Sequence, residues 1–125
     1  MPLHFTVYQT TNTVNGKFYV GVHRTENPHD EYLGSGSLLT KAVKKYGRAA
    51  FVKEILFDFD NEGEMAAKEA EIVDEEFVLN PQTYNLVPGG FQGNSYYQAL
   101  VGREEDLRRW LKKANQEHNR LLEED

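Results

Sequence analysis

Two tyrosines, Tyr8 and Tyr19, and one glutamate in an unexpected place, Glu69, are the residues whose types and spacing could do chemistry. The tyrosines flank Asn15-Gly16, a dipeptide that accepts positive φ at low cost and is the strongest short-range signal for a β-hairpin. A hairpin puts them on neighbouring antiparallel strands. Alternation along the strands then sorts the side chains into two sets. Leu3, Phe5 and Val7 join Phe18, Val20 and Val22 against a core, while Tyr8, Lys17, Tyr19 and His23 share the polar face. Two phenols, an ammonium and an imidazole on one rigid surface can bind or cut an anionic substrate. The pair also has a purely structural reading, because strands favour tyrosine and cross-strand aromatic pairs stabilise hairpins.

Glu69 stands out by helical periodicity. Asn61 with Glu64 three residues on has the outline of a capping box, and the helix it opens is predicted to run to about Phe77, before Asn80-Pro81. At 100° per residue, Met65, Ile72 and Val73 define the apolar arc and Glu69 lies in its middle, whereas Glu64, Lys68, Glu71 and Glu75 lie off it. Glu76 also falls in the arc, but at the fraying end. A carboxylate in a buried stripe costs several kcal/mol unless a cation, a metal or hydrogen bonds satisfy it. A salt bridge to Lys53 or Arg48, exposure at a sheet edge, and a functional role are the open readings.

The remaining segments must position these groups. Thr25 to Tyr32 is polar and interrupted by Pro28, and Gly34-Ser35-Gly36 reads as a short flexible stretch. Ser37 suits the N-cap of a helix that ends near Gly47, a C′ glycine. Its apolar stripe is Leu38, Leu39, Ala42, Val43 and Tyr46; Lys41, Lys44, Lys45 and Arg48 share the opposite face, either solvated or in contact with phosphate. Phe51 to Phe59 reads as a third, largely buried strand, and residues 83–95 as a loop containing Gly89-Gly90 and Gly93. Tyr96 to Val101 fits no single element. From Arg103 onward Leu107, Trp110, Leu111, Ala114, His118, Leu121 and Leu122 form one helical stripe, which suits docking on its own domain, pairing with a copy of itself, or meeting a protein partner. His118 on that stripe reads as packed or interfacial. The chain thus divides into a domain over 1–95 and a C-terminal helical extension over 96–125.

Length and composition bound the class. A chain of 125 residues, 39% apolar and 27% charged, suits one globular domain. It has no run long enough for a membrane span, and Met1-Pro2-Leu3-His4 leads straight into strand-like sequence without room for a signal peptide. The absence of cysteine excludes disulfides and thiolate zinc sites and points to an intracellular home. His4, His23, His29 and His118 lack metal-ligand spacing. The net charge of −6 argues against a highly basic nucleic-acid binder. Its distribution tempers that: residues 1–57 carry a net +3, residues 58–100 a net −8 and residues 101–125 a net −1, so a basic N-terminal half can face phosphate.

The hairpin and the glutamate together resemble the GIY-YIG nucleases, in particular the small phage-type versions related to homing endonucleases. Thr6-Val7-Tyr8 resembles the first element and Tyr19-Val20-Gly21 the second, with Asn15-Gly16-Lys17 as the turn between them. Glu69, followed by Ile72 and Val73, matches the metal-binding glutamate of that family, and Tyr84-Asn85-Leu86 the element that closes the domain. Tyr32-Leu33-Gly34-Ser35-Gly36 through Tyr46-Gly47 resembles the phage branch. Where the family usually has an arginine this chain has His29, leaving His23 or Arg24 for that role. The resemblance implies an α/β (α+β) fold: a small three-stranded antiparallel sheet flanked by helices. It implies a DNA endonuclease using one divalent ion, Mg²⁺ or Mn²⁺, held by Glu69, with Tyr8 as general base, Lys17 favouring its phenolate, Tyr19 orienting water or phosphate, and His23 or Arg24 stabilising the pentacovalent phosphate; the alternative is a catalytically weak or inactive module of the same fold that binds nucleic acid or a protein partner. Asn85 either bonds the scissile phosphate or fixes its loop. Lys41, Lys44, Lys45, Arg48 and Tyr32 would contact DNA. A homodimer or protein partner would use residues 103–125, and a phage-encoded enzyme of this kind would act in the host cytoplasm.

Overall fold

Three strands, β1 (His4–Asn12), β2 (Phe18–Thr25) and β3 (Phe51–Phe59), pair antiparallel in the order β2-β1-β3 in a computed structural model that describes residues 2–92 and 95–123. Among the described residues the sheet carries five α-helices: α1 (Ser37–Tyr46), α2 (Glu62–Ile72), α3 (Glu75–Leu79), α4 (Ser95–Leu100) and α5 (Glu104–Leu122). The expected α+β class is therefore observed. Thr6, Val7 and Tyr8 are consecutive and all buried. Since neighbours on a strand point to opposite faces, both faces of the sheet must be covered at β1. Met65 and Val73 join Val7 and Val20 in one core cluster, and Leu38, Leu39 and Ala42 of α1 join Phe51 and Tyr84 in a second. The predicted open polar face of the hairpin does not exist: α1, the 26–36 loop and α5 cover it.

Other expectations are corrected. The expected β1–β2 hairpin forms, but its connection takes in all of residues 13–17. Gly16 alone takes a positive φ there (77°), Gly16 N–H donates to Asn12 O at 2.8 Å, and Asn15 Oδ1 accepts from Lys17 N–H at 2.9 Å. Asparagine main-chain and side-chain groups thus fix a longer loop. β3 is an edge strand rather than a largely buried one, with only Phe51 buried and Val52 and Phe57 exposed. Gly36, not Ser37, occupies the N-cap of α1, without a side-chain cap, while Gly47 ends the helix as expected. Asn61 caps α2 through Glu64 N–H as predicted, but the helix stops at Ile72. Asp74 then accepts from Phe77 N–H at 2.9 Å and starts α3. Gly89 N–H takes the Val73 carbonyl at 2.8 Å, which draws the 86–90 loop against the break.

α4 occupies the stretch that fitted no element, and Gly93 lies outside the described residues. α4 and α5 dock on the domain: Tyr96 and Leu100 join the first core cluster and Leu121 the second. The buried face of α5 is rotated from the predicted stripe. Leu111 and Leu122 are exposed, whereas Lys113 and Glu117 are buried. Lys113 Nζ donates to Val78 O, Thr83 Oγ1 and Asn85 O at 2.5, 3.0 and 2.7 Å. Glu117 Oε2 accepts from Lys17 and from Arg120. These contacts satisfy loop carbonyls and the charges together, which lets ionic groups take core positions. No helix among the described residues is long and apolar enough to cross a membrane.

Candidate active site

β1 and β2 bring the two tyrosines together. Tyr8 lies opposite Gly21 and Tyr19 opposite Thr10, with ring centroids 6.4 Å apart. Tyr32, from the loop after β2, adds a third ring 6.0 Å from Tyr8. Three glycines make this cluster possible. A Cβ on Gly21 would sit 2.6 Å from the Tyr8 hydroxyl, one on Gly36 would sit 2.8 Å from the Tyr19 ring, and one on Gly34 would meet both tyrosines at 3.0 Å. Gly34 also has a φ of 132°, which L side chains rarely adopt. The stretch that read as flexible is thus a close-packed cradle. Thr10 Oγ1 ties it to β1 by donating to Leu33 O at 2.7 Å.

Glu69 approaches the same cluster from α2. Its carboxylate makes no ion pair or side-chain hydrogen bond among the described residues, and burial raises its pKa. The open salt-bridge reading falls away, since Lys53 binds Asp30 and Arg48 donates to Glu31 O. Gly89 holds the 86–90 loop against this turn of α2, where a Cβ would meet backbone atoms of Ala70 at 2.7 Å. The negative charge of Glu69 reaches both phenols. Tyr19 is pushed up to about 12, by burial first and then by Tyr32 and Glu69. Tyr8 is held far above the usual phenol range by burial, by Tyr19 and Tyr32, and by Glu69. Among the described residues no group of three or more His, Asp or Glu is placed to hold a metal, so Glu69 is not part of such a cluster.

His23 reaches the cluster through β2 alternation. Its ring stacks on Tyr32 at 4.0 Å, and its Nε2 lies 2.9 Å from Asp30 Oδ2. Asp30 was not singled out from the sequence, yet it organises this corner. Lys53 Nζ donates to its Oδ1 at 2.7 Å, Thr25 Oγ1 to its Oδ2 at 2.8 Å and Tyr32 N–H to its Oδ1 at 3.2 Å. Burial pushes Asp30 up, but the hydrogen bonds from Lys53, Thr25, His23 and the Tyr32 amide outweigh it and hold the carboxyl well below the usual range. Lys53 Nζ also lies 5.9 Å from the Tyr8 ring centroid. The sequence signal was slight: an aspartate two residues before a tyrosine can make an Asx turn.

The structure does not bring Lys17 to Tyr8. Lys17 lies four residues along the chain from Gly21, the partner of Tyr8, which is about 13 Å of strand. Its ammonium instead pairs with Glu117. Both ends of the Asn85 amide are taken by Val20, whose N–H donates at 3.0 Å and whose carbonyl accepts at 2.8 Å. Together with Tyr84 N–H donating to Phe18 O at 2.8 Å, this closes the free edge of β2, and Asn85 acts as a loop clasp. Arg24 and His29 are exposed, and Arg24 falls on the β2 alternation opposite to His23. The predicted basic face of α1 is partly covered by α5. Lys41 Nζ lies 2.7 Å from His118 Nδ1, and Lys45 Nζ donates to Arg120 O at 2.9 Å. Lys44 and Arg48 stay exposed, although Arg48 donates to Glu31 O. Tyr32 is packed between Tyr8 and His23. A small cavity of about 100 Å³ opens beside Tyr19, lined also by Gly36, Tyr84 and Asn85.

The chain is similar to several proteins of Enterobacteria phage T4. It is 47% identical over 92 residues to "Putative endonuclease segD", which covers 74% of this chain and 41% of that protein. It is 40% identical over 121 residues to "Putative endonuclease segC", covering 89% of this chain and 61% of that protein. It is 43% identical over 86 residues to "Endonuclease segA", covering 69% of this chain and 39% of that protein. The chain therefore spans about two fifths to three fifths of the length of these relatives. No family model matches it. No solved structure matches it.

Proposed function

We propose that this chain is a GIY-YIG-type endonuclease domain that hydrolyses DNA phosphodiesters with one divalent ion at Glu69. The observation that carries the reading is a half-buried carboxylate, without a cation or hydrogen-bond partner among the described residues, set against two phenols. Similarity to phage proteins named endonucleases supports the substrate class. A carboxylate suits Mg²⁺ or Mn²⁺, hard cations that keep several waters and complete their shell with substrate phosphate. When bound, such an ion neutralises Glu69 and stabilises charge on the leaving 3′ oxygen.

The rest of the chemistry belongs to the chain. A water oxygen attacks phosphorus, the bond from phosphorus to the 3′ oxygen breaks, and the products are a 5′-phosphate and a 3′-hydroxyl. Tyr8, first ionised to its phenolate, takes one proton of the water, and the departing 3′ oxygen takes a proton from solvent. Tyr19 orients the water or a phosphate oxygen, and His23, held by Asp30, donates to the pentacovalent phosphate. Lys53 supplies the cation beside Tyr8 that was expected of Lys17. Asn85 is a positioning residue that keeps Tyr84–Leu86 on the edge of β2.

A second reading of the base rests on the 2.9 Å contact between His23 and Asp30. In it His23 takes the proton, and Tyr8, whose phenol is strongly held in its protonated form, donates a hydrogen bond to the water. Nicking of supercoiled plasmid in Mg²⁺ tests both. Glu69→Ala lowers the rate by about a thousandfold, equivalent to about 4 kcal/mol of transition-state stabilisation. Tyr8→Phe abolishes cleavage if the phenol is the base, whereas His23→Gln abolishes it if the imidazole is. Cleavage that survives Glu69→Ala excludes the mechanism, and tight DNA binding without cleavage in any divalent ion makes the chain a binding module.

A further inference from the structure

Two cations of α1, Lys41 and Lys45, are engaged by α5, while a different set of cations is left at the surface. Between Leu107 and Leu121 the chain holds Arg108, Arg109, Lys112, Lys113 and Arg120 against the single acid Glu117. Arg109, Lys112, Gln116 and Arg120 follow one another at helical spacing, and with Lys113, Glu117, Leu79 and Pro81 they line a cleft of about 280 Å³. Its one carboxylate is already used, since Glu117 Oε2 accepts from both Lys17 and Arg120. Arg109 and Lys112 are exposed and make no ion pair among the described residues. The excess charge of this concave site therefore has no counter-ion among the described residues. Burial drives the Lys113 ammonium down to about 7, opposed by Glu117 and reinforced by the neighbouring charge of Lys17. An anion in the cleft would relieve that positive potential.

We propose that the outer face of α5, at Arg109 and Lys112, is a phosphate-binding surface that grips the DNA backbone. This rests on the DNA reading above and adds a contact that neither the tyrosine cluster nor α1 supplies. Position supports it. Trp110, next to Arg109, donates its indole N–H to Leu86 O at 2.8 Å, and Lys113 holds Asn85 O at 2.7 Å. The loop at 84–87, which lines the cavity beside Tyr19, is thus held directly by the basic turn of α5. The surface continues through Arg120 to Lys45, which donates to the Arg120 carbonyl, and so reaches exposed Lys44. Acid dominates α2 and α3 instead, where backbone phosphate would be repelled.

The test is fluorescence anisotropy with a labelled duplex of about two helical turns in EDTA, across a several-fold range of salt, on the full chain and on Arg109→Gln/Lys112→Gln. Each phosphate contact adds about 0.9 to the slope of log affinity on log salt. The double variant is expected to lower that slope by about 1.8 while its thermal unfolding is unchanged, because both side chains are exposed. An unchanged slope in the double variant, with the parent chain binding normally, overturns this surface and leaves the Glu69 site standing. Failure of the parent chain to bind duplex at the lowest salt overturns the DNA reading itself. Self-association of the parent chain that the double variant abolishes, with no change in salt slope, assigns the face to the acidic side of a second copy and also overturns the proposal.

Discussion

Under α5, Lys17, Lys113 and Glu117 are the charged groups buried among the described residues, and they answer one another. Lys113 makes three hydrogen bonds, and one oxygen of Glu117 takes both Lys17 and Arg120, leaving only Glu117 Oε1 without a partner among the described buried atoms. Beside β2, Glu69 is less buried, yet nothing among the described residues neutralises it. The first region turns ionic groups into structure, because Lys113 completes a hydrogen-bond set that the segment 78–85 would otherwise lack and Glu117 answers Lys17 and Arg120. The second holds a charge and two perturbed phenols in readiness for something that is not part of the fold. Depth of burial alone would have ranked these regions the other way round. The presence or absence of a partner distinguishes them.

The contrast is tested most severely by Lys17→Met. Arg120 still reaches Glu117, so the loss is at the low end for a broken buried pair, about 3 kcal/mol in urea unfolding. Plasmid nicking per folded molecule is expected to stay at the parental rate. A fall of about a hundredfold in that rate would return Lys17 to the chemistry. Gly36→Ala comes next. Gly36 has an ordinary φ of −62°, so the whole effect comes from a methyl group placed 2.8 Å from the Tyr19 ring. A loss of about 1–2 kcal/mol together with slower nicking is expected. Gly47→Ala, at a φ of 84° with open space around it, should cost about 1 kcal/mol and leave nicking alone.

Smaller effects concern pH. The folded pKa of Asp30 is depressed, so its charge contributes stability that is fully present above the unfolded carboxylate value of about 3.9 and fades as pH falls through the folded value. Asp30→Asn should remove that part of the acid-side loss, read as melting temperature across the carboxylate range. Glu69 has the opposite sign. Its folded pKa is raised, so the ionised form is disfavoured in the fold, and stability rises as pH falls through the folded value towards the unfolded one of about 4.3. Glu69→Gln is therefore expected to stabilise the chain slightly at neutral pH, by about 1 kcal/mol or less, with no gain near the unfolded value, while abolishing nicking. An equal gain at both pH values would mean that the carboxylate is not burdened by burial.

Periodicity and turn chemistry made much of this protein legible in its sequence. The bounds of β3, the Asn61 cap of α2, the Gly47 end of α1, the pairing of the Tyr8 and Tyr19 strands and the intrusion of Glu69 into an apolar arc are all local or depend on one helical or strand repeat. The partners of charged groups were not legible. Lys17 meets Glu117 across 100 residues, Asp30 gathers Lys53 from 23 residues away, and Asn85 clasps Val20 from 65 residues away. Such pairings are set by how layers stack, and no repeat in the chain encodes them. The same stacking rotated α5 so that Lys113 and Glu117 face inward, and it turned Gly34-Ser35-Gly36 from an expected flexible stretch into a wall of the tyrosine cluster. The sequence determined which side chains could be reactive. Tertiary packing decided which of them were left without a partner, because a charge is neutralised only by what the fold brings within a few ångströms of it.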